Sequence, residues 1–146
     1  MVKAFNLILA GMLLATNAVA ETLIKESEAR LPPAPVTATA TRSITRGPGI
    51  RILSPEAGSQ SLASPFPLRI AFEPHGGAKI DLSTVRLTYL RSPSVDLTER
   101  VKPGLTEKGI DLKAAEVPPG EHQIRVSVQD SDGRASNAVL KLNVTR

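Results

Sequence analysis

The sequence predicts an all-β fold, an antiparallel two-sheet β-sandwich of about seven strands. From Ile50 onward apolar residues recur at every second position, which is typical of strands with one buried face. Clusters of proline and glycine separate these alternating runs, and no long run has the period of a helix. The segment 50–146 is also close to the size of about 100 residues that such sandwiches commonly have.

Residues 1–20 are predicted to be a secretory signal peptide. Lys3 gives a positive start, the run from Leu7 to Ala15 is apolar, and Ala18-Val19-Ala20 is a small-residue cleavage site before Glu21. We expect cleavage, because the apolar run is shorter than the roughly twenty residues that span a bilayer. No later segment is apolar enough to span a membrane. The mature chain is therefore expected to be soluble and either periplasmic or secreted.

Charge and composition exclude several classes of protein. The chain contains no cysteine, so it has neither a disulfide framework nor a thiol for a lipid anchor. Its net charge is +4, of which Lys3 contributes one, and the remaining basic residues are scattered among acids. After the signal peptide the aromatic residues are Phe66, Phe72 and Tyr89. Nucleic-acid binding usually needs a basic patch with aromatic stacking, so no nucleic-acid partner is expected.

Residues 21–49 are predicted to be a flexible linker. The stretch LPPAPVTATATRSITRGPG, residues 31–49, is rich in proline, alanine and threonine and has few large apolar side chains. Such a segment buries too little surface to offset the entropy lost on ordering. A brief helix over Leu23–Ala29 has nothing to sustain it. We therefore expect one folded domain, residues 50–146, behind a spacer.

The elements of that domain follow from the alternation in chain order. A turn over Asp81–Thr84 leads into the third strand, and Asp96 and Glu99 have capping-box spacing before Pro103, which predicts one helical turn. The turns at Pro119-Gly120 and Asp132-Gly133 bound the next-to-last strand, and Asp132-Gly133 joins it to the closing strand as a hairpin. Strands are predicted over Ile50–Leu53, Leu68–Phe72, Val85–Tyr89, Gly109–Leu112, Gln123–Gln129 and Ala138–Val144.

Two stretches carry a resemblance to a known family. The turn PPGEH, the alternating strand after it, the turn DSDGR and a closing strand resemble the end of bacterial immunoglobulin-like domains. The opening IRILSPEAGS followed by PFPLRIAF is similar to the first two strands of the same family. The resemblance implies an immunoglobulin-like sandwich without enzymatic activity, used in bacterial envelopes as a spacer, an adhesive module or a binding domain. We therefore expect an exported binding or scaffolding module.

A calcium site is the first chemistry to consider. Asp130 and Asp132 have the spacing found in calcium loops, and Gly133 follows. The helix-loop-helix calcium loop also needs a glutamate at its twelfth position, where this chain has Lys141. We therefore interpret the stretch as a hairpin tip whose short polar side chains cap the backbone. A calcium site at the edge of the sandwich, with aspartates from other loops such as Asp81 or Asp96, remains the minor alternative.

The two histidines suggest an alternative function. His75 lies in the loop EPHGG, and His122 is expected at the entrance of a strand, half exposed. Two histidines without cysteine make a transition-metal site only if carboxylates arrive from distant loops, so no metal or cofactor is expected. No G-x-S-x-G elbow or phosphate-binding loop is present either. A small metal-handling or hydrolytic periplasmic protein using these histidines and loop carboxylates remains the alternative to a non-enzymatic module.

One face of the predicted sandwich is a candidate binding surface. In the arrangement of the family, the third, sixth and seventh strands share a sheet, and the alternation then points Arg86, Arg125 and Lys141 to its outer face. A plain solvated face is one interpretation, since exposed strands commonly carry such residues. The other is a contact surface for an acidic partner, which is an envelope protein, an anionic glycan or a lipid surface.

Overall fold

The computed structural model of the chain describes residues 20–35, 46–56 and 61–146. The predicted signal peptide falls on residues 1–19, outside these ranges, and on Ala20. A 3-10 turn covers Lys102–Gly104. The other elements within the described ranges are β1 Glu21–Thr22, α1 Glu26–Ala29, β2 Gly49–Ser54, β3 Leu62–Ala63, β4 Phe66–Glu73, β5 Ile80–Tyr89, β6 Val95–Asp96, α2 Thr98–Val101, β7 Leu105–Thr106, β8 Gly109–Glu116, β9 Gly120–Asp130 and β10 Ala135–Thr145.

The strands form two sheets. The first sheet has the order β1-β8-β4-β2, with β7 also paired to β8, and the second has the order β3-β10-β9-β5-β6. Every pairing between long strands is antiparallel, whereas the two-residue strands β1 and β3 pair in parallel with β8 and β10. The predicted all-β, two-sheet sandwich is confirmed. Ten strands are described instead of about seven, because two-residue strands are too short to show an alternation.

The core lies between the two sheets and follows the alternation of the sequence. In β9 every second residue from His122 to Asp130 is buried, and in β10 Leu140, Leu142 and Val144 are buried in the same way. Each fully buried aliphatic side chain stabilises the fold by about 1.5–3 kcal/mol relative to an exposed one. The outer faces of both strands are mostly polar, with Val139 of β10 as an exposed apolar side chain.

The first part of the predicted linker is instead built into the fold. Residues 21–34, here called the strap, run from the edge of β8 to the segment that follows β5. Leu23 and Ile24 are each only 1% exposed and belong to the core. The prediction of a flexible linker is therefore wrong for the strap, and the folded domain does not begin at Ile50. Residues 36–45 of the same prediction lie outside the described ranges.

An ion pair fixes the middle of the strap. Arg100 donates to both carboxylate oxygens of Glu28, at 2.7 and 2.6 Å, and also to the carbonyl of Leu23 at 2.9 Å. These side chains are mostly buried, with 23% and 15% of their surface exposed. The hydrogen bond from Arg100 holds the pKa of Glu28 below its ordinary value. Two buried apolar residues and one bidentate pair thus order a segment whose composition is typical of disorder.

The middle of the chain follows the prediction in part. The predicted helical turn is present as α2, but without the capping box, because its N-cap residue is Leu97. Asp96, one residue earlier, accepts the amide of Thr98 at 2.9 Å. The turn predicted at Asp81–Thr84 lies inside β5, where the pairing with β9 shifts register between Asp81 and Arg86. The carboxylate of Asp81 accepts the amide of Ser83 at 3.1 Å there. A side-chain turn is thereby accommodated as a bulge within one long strand.

Candidate functional site

The three predicted cationic residues lie on adjacent strands of the second sheet. Arg86 is on β5, Arg125 on the central strand β9 and Lys141 on β10. All three are exposed and point away from the core, because their neighbours in each strand are buried. The placement of these side chains on one outer face follows the prediction, while their role in binding stays a prediction. We call these three residues the cationic row.

The pairing register arranges the row as a diagonal. Arg86 is opposite Ser127, two residues along β9 from Arg125, and Lys141 is opposite Gln123, two residues further in the same direction. With strands about 4.8 Å apart and about 3.3 Å per residue, successive Cα atoms of the row are about 8 Å apart. The row therefore places three positive charges on a line of about 16 Å.

Neutral polar side chains fill the spaces of this diagonal. Thr88 is opposite Arg125 on β5, and Ser127 donates its hydroxyl to the side-chain oxygen of Asn137 at 2.6 Å. Val139 is opposite Arg125 on β10 and is 44% exposed. The face thus combines charge with hydroxyl and amide groups, and its apolar content is small.

Two carboxylates border the row. Asp96 is opposite Thr88 on β6, and Glu121 lies two residues beyond Gln123 on β9. Hydrogen bonds from the hydroxyl and amide of Thr98 lower the pKa of Asp96, and the charge of Arg86 lowers it further. Among the ion pairs of the described residues, none involves a member of the row. The positive charge is therefore reduced at the two ends and least compensated at Arg125.

At the acidic hairpin tip, the carboxylate of Asp130 accepts hydrogen bonds from the backbone of the turn. One oxygen of Asp130 accepts the amides of Asp132 and Arg134, each at 3.0 Å, and the other accepts Nε of Arg134 at 2.8 Å. Gly133 has φ of 76°, the left-handed conformation that glycine adopts without strain. The interpretation of this stretch as a hairpin tip with capping side chains is confirmed.

Burial and hydrogen bonding act on Asp130 in opposite directions. Burial alone raises the pKa of its carboxyl, but the amides of Arg134 and Asp132 and the guanidinium of Arg134 outweigh burial and lower the pKa. The same guanidinium donates to the carbonyl of His75 at 3.2 Å. The charged form of Asp130 therefore fastens the β9–β10 hairpin to the loop after β4.

His122 differs from its prediction. It is 2% exposed, not half exposed, because β9 begins at Gly120 and its alternation carries position 122 to the core face. Its Nδ1 lies 2.7 Å from the hydroxyl of Tyr89, and its Nε2 lies 2.7 Å from the carbonyl of Pro118. Both ring nitrogens thus have partners inside the protein. His75 is exposed at the opposite end of the sandwich, so the two histidines are not brought together.

Sequence reasoning missed Arg91, which connects three parts of the fold. It donates to the hydroxyl of Tyr89 at 2.8 Å, to the carbonyl of Leu31 at 3.2 Å and to the carbonyl of Glu121 at 3.0 Å. Its guanidinium also lies 5.1 Å from the centre of the Tyr89 ring. Two of these contacts join residues 60 and 30 positions apart, and the one with Leu31 also depends on the strap, which was not predicted. No pattern in the sequence predicts these contacts.

The described part of the chain offers few other features with ligand chemistry. Within it, no group of three or more histidine, aspartate or glutamate side chains is arranged to hold a metal ion. No helix within the same residues has the length and apolarity required to cross a bilayer. A shallow cleft of about 670 Å³ lies beside the strap and is lined by Lys25, Glu26, Glu116 and Arg146 among others. Its balanced charges favour neither sign of ligand.

Comparison with known proteins assigns no family. No family model matches the chain, and no curated protein matches it. A crystal structure described as that of an engineered protein is similar over 68% of this chain, with 13% sequence identity and a TM-score of 0.45. The match covers 20% of that engineered protein, so this chain corresponds to a small part of it. Only the chain's own residues therefore point to a function.

Proposed function

We propose that this chain is an exported, non-enzymatic, immunoglobulin-like binding module of the bacterial envelope, and that its partner is an anionic glycan. The observation that carries the proposal is the cationic row on the outer face of the second sheet. Three like charges at regular spacing on neighbouring strands match a polymer that repeats its own negative charges along a line. The resemblance to immunoglobulin-like domains of bacterial envelopes and the signal-like residues 1–20 support the setting.

The surroundings of the row favour a glycan over a protein surface. Thr88, Ser127 and Gln123 lie in the spaces of the row and can exchange hydrogen bonds with hydroxyl groups. A protein interface usually has an apolar or aromatic centre. Among the described residues of the second sheet, the exposed large apolar side chains are Val139 and Leu82, and Val139 is the one that pairs with a member of the row. A linear polymer with acidic and hydroxyl groups suits such a surface better.

The proposal is tested by reversing charge within the row. The variant Arg86→Glu/Arg125→Glu is compared with wild type for binding to polygalacturonate at 50 mM and 300 mM salt. We expect wild type to bind, and to bind more weakly in high salt, because ions screen exposed electrostatic contacts. The variant is expected to lose at least about tenfold in affinity, because two of the three attractive charges become repulsive. Neutral dextran and poly-glutamate serve as additional ligands.

A second double variant separates the row from net charge. Lys108→Glu/Lys113→Glu makes the same change in net charge through exposed side chains that belong to the first sheet or its turn. We expect it to retain most of the binding. Equal losses in both variants, or wild type that binds none of the anionic polymers, would contradict the proposal. Binding of poly-glutamate alone would replace the glycan with an acidic protein as partner.

Removing one of the two carboxylates that border the row should have the opposite effect on binding. Glu121→Gln removes a negative charge next to Lys141 and leaves the backbone contacts of β9 in place. We expect it to tighten binding of polygalacturonate by about twofold to fivefold, the range of an exposed charge interaction of up to about 1 kcal/mol. Weaker binding would mean that Glu121 itself contacts the ligand, which a polyanion does not allow.

A further inference from the structure

The far end of the strap is held through the segment after β5. The amide of Ser92 donates to the carbonyl of Pro32 at 2.9 Å, and the amide of Ala34 donates to Leu90 at 3.5 Å. Between these bonds, Arg91 donates to the carbonyl of Leu31 at 3.2 Å. This end of the strap has no buried side chain comparable to Leu23, so its order depends on where Arg91 is held.

Arg91 donates to the carbonyl of Glu121 at 3.0 Å and is also held by a relay that ends at His122. A carbonyl oxygen only accepts hydrogen bonds, so the contact with Pro118 places the ring proton on Nε2. Nδ1 is then an acceptor and receives the hydroxyl proton of Tyr89 at 2.7 Å. The lone pair of that hydroxyl in turn accepts Nε of Arg91 at 2.8 Å. Every donor in the relay has an acceptor only while His122 is neutral.

Protonation of His122 disrupts this sequence of donors and acceptors. Nδ1 becomes a donor, so the hydroxyl of Tyr89 faces two donors and its own proton loses the acceptor. The imidazolium also stands near the guanidinium of Arg91. Leu142 of β10 is opposite His122 in the pairing register, and the carbonyl of Pro118 contacts Nε2; neither offers a compensating negative charge. The arrangement is thus built for a neutral ring.

The electrostatics agree with the geometry. Burial and the charge of Arg91 lower the pKa of His122, against the opposing hydrogen bond to Pro118. The near end of the strap does not titrate in the same range. The hydrogen bond from Arg100 holds the pKa of Glu28 below its ordinary value of 4.5, so that ion pair persists through mild acid. Only the end of the strap at residues 31–34 is coupled to the histidine.

We propose that protonation of His122 frees Arg91 from Tyr89 and releases residues 31–34 of the strap, so that the domain loosens this end in mild acid. The near end stays docked through Leu23, Ile24 and the Glu28–Arg100 pair. The result is a local opening that changes the direction in which the chain leaves the strap. A protein that passes through compartments of different acidity would hold residues 31–34 against the sandwich in one and release them in the other.

Amide hydrogen exchange on the full chain tests this directly. After correction for intrinsic rates, protection of the Ser92 and Ala34 amides is compared at pH 7.5 and pH 5.0. We expect a decrease of at least tenfold at both amides, while the amide of Val126 in the centre of β9 keeps its protection. An unchanged Ser92 amide, or an equal decrease at Val126, would contradict a local opening.

Variants identify the group responsible. His122→Gln keeps a donor toward Pro118 but does not titrate, so protection at Ser92 is expected to be independent of pH in this range. His75→Gln, which alters the other histidine of the chain, is expected to keep the wild-type response. The inference fails if His122→Gln still responds to pH or if His75→Gln loses the response.

A measurement on wild type covers the case in which His122→Gln does not fold. The ring signals of two histidines are readily resolved by NMR, and the titration of His122 is followed together with the amide of Ser92. Both must have the same midpoint if one protonation causes the opening. Different midpoints would overturn the inference without any substitution.

Discussion

Two polar residues, His122 and Asp130, close the two ends of the buried face of β9. Both lie on the same face of the strand as Ile124, Val126 and Val128, and both are 2% exposed. Burial of a polar group is costly unless its hydrogen bonds are made inside the protein. Each of these residues meets that condition, since His122 has two partners and Asp130 accepts three hydrogen bonds.

Replacing Asp130 tests this role at the scale of one residue. Asp130→Asn removes the charge and turns one acceptor into a donor that faces Nε of Arg134, so we expect a clear fall in melting temperature at pH 7. The folded-state pKa of Asp130 is lowered, so its stabilisation is complete above the ordinary value of 3.8 and is lost as pH falls. The difference from wild type should therefore shrink in acid, as thermal unfolding at several pH values will measure.

The neighbouring carboxylate is the matched control. Asp132 is 62% exposed and makes one ion pair with Arg134. Asp132→Asn is expected to change the melting temperature little, because exposed ion pairs contribute little to stability. Similar losses in the two variants would mean that charge near Arg134 matters and the capping of the turn does not.

Residue-scale prediction from the sequence succeeded where local chemistry decides the outcome. Asp132-Gly133 specifies a turn by itself, and the alternation gives the outer face for Arg86 and Arg125. The prediction for His122 failed because the first residues of a strand after a turn have few apolar neighbours, so the alternation does not show which of them face the core. The partners Tyr89 and Arg91 depend on tertiary contacts that no spacing reveals.

At the scale of elements, the strap is the part that composition misjudges. Proline, alanine and threonine dominate the stretch after it, yet Leu23 and Ile24 enter the core and Glu28 pairs with Arg100. Ordering is decided by a few contacts at sites that only the folded sandwich provides. The average composition of a segment does not reveal such single contacts, whereas a long strand shows its buried face through an apolar residue at every second position.

Truncating a core residue of the strap tests its contribution. Leu23→Ala is expected to lower the free energy of unfolding by about 2–4 kcal/mol, as for other buried leucines. Leu53→Ala is the control, since Leu53 is 46% exposed and its loss should stay within about 0.5 kcal/mol. Urea denaturation measures both. A Leu23→Ala value as small as that of Leu53→Ala would show that the strap adds little to the stability of the fold.

At the scale of the whole molecule, the acid response should have two stages. The pKa of His122 is lowered, so its contribution to stability is complete above the ordinary value of 6.5 and declines as pH falls below it. Glu28, Asp96 and Asp130 also have lowered pKa values, so their contributions decline only below their ordinary values of 3.8 to 4.5. Stability is therefore expected to fall first below pH 6.5 and again below pH 4.5.

Urea midpoints measured from pH 8 to pH 3 will reveal these stages. His122→Gln should remove the upper stage and leave the lower one, and Asp130→Asn should reduce the lower stage only. A single decline confined to pH below 4 in wild type would argue against any effect of His122 on stability.

The diagonal of the cationic row also determines how the domain would stand on a polymer. A line that advances two residues along each strand for every strand it crosses makes an angle of about 35° with the strand axis. A straight chain bound to Arg86, Arg125 and Lys141 would cross the sheet at that angle in every copy. Copies bound along one polymer in the same direction would therefore share one tilt, and their straps would all lie on the same side.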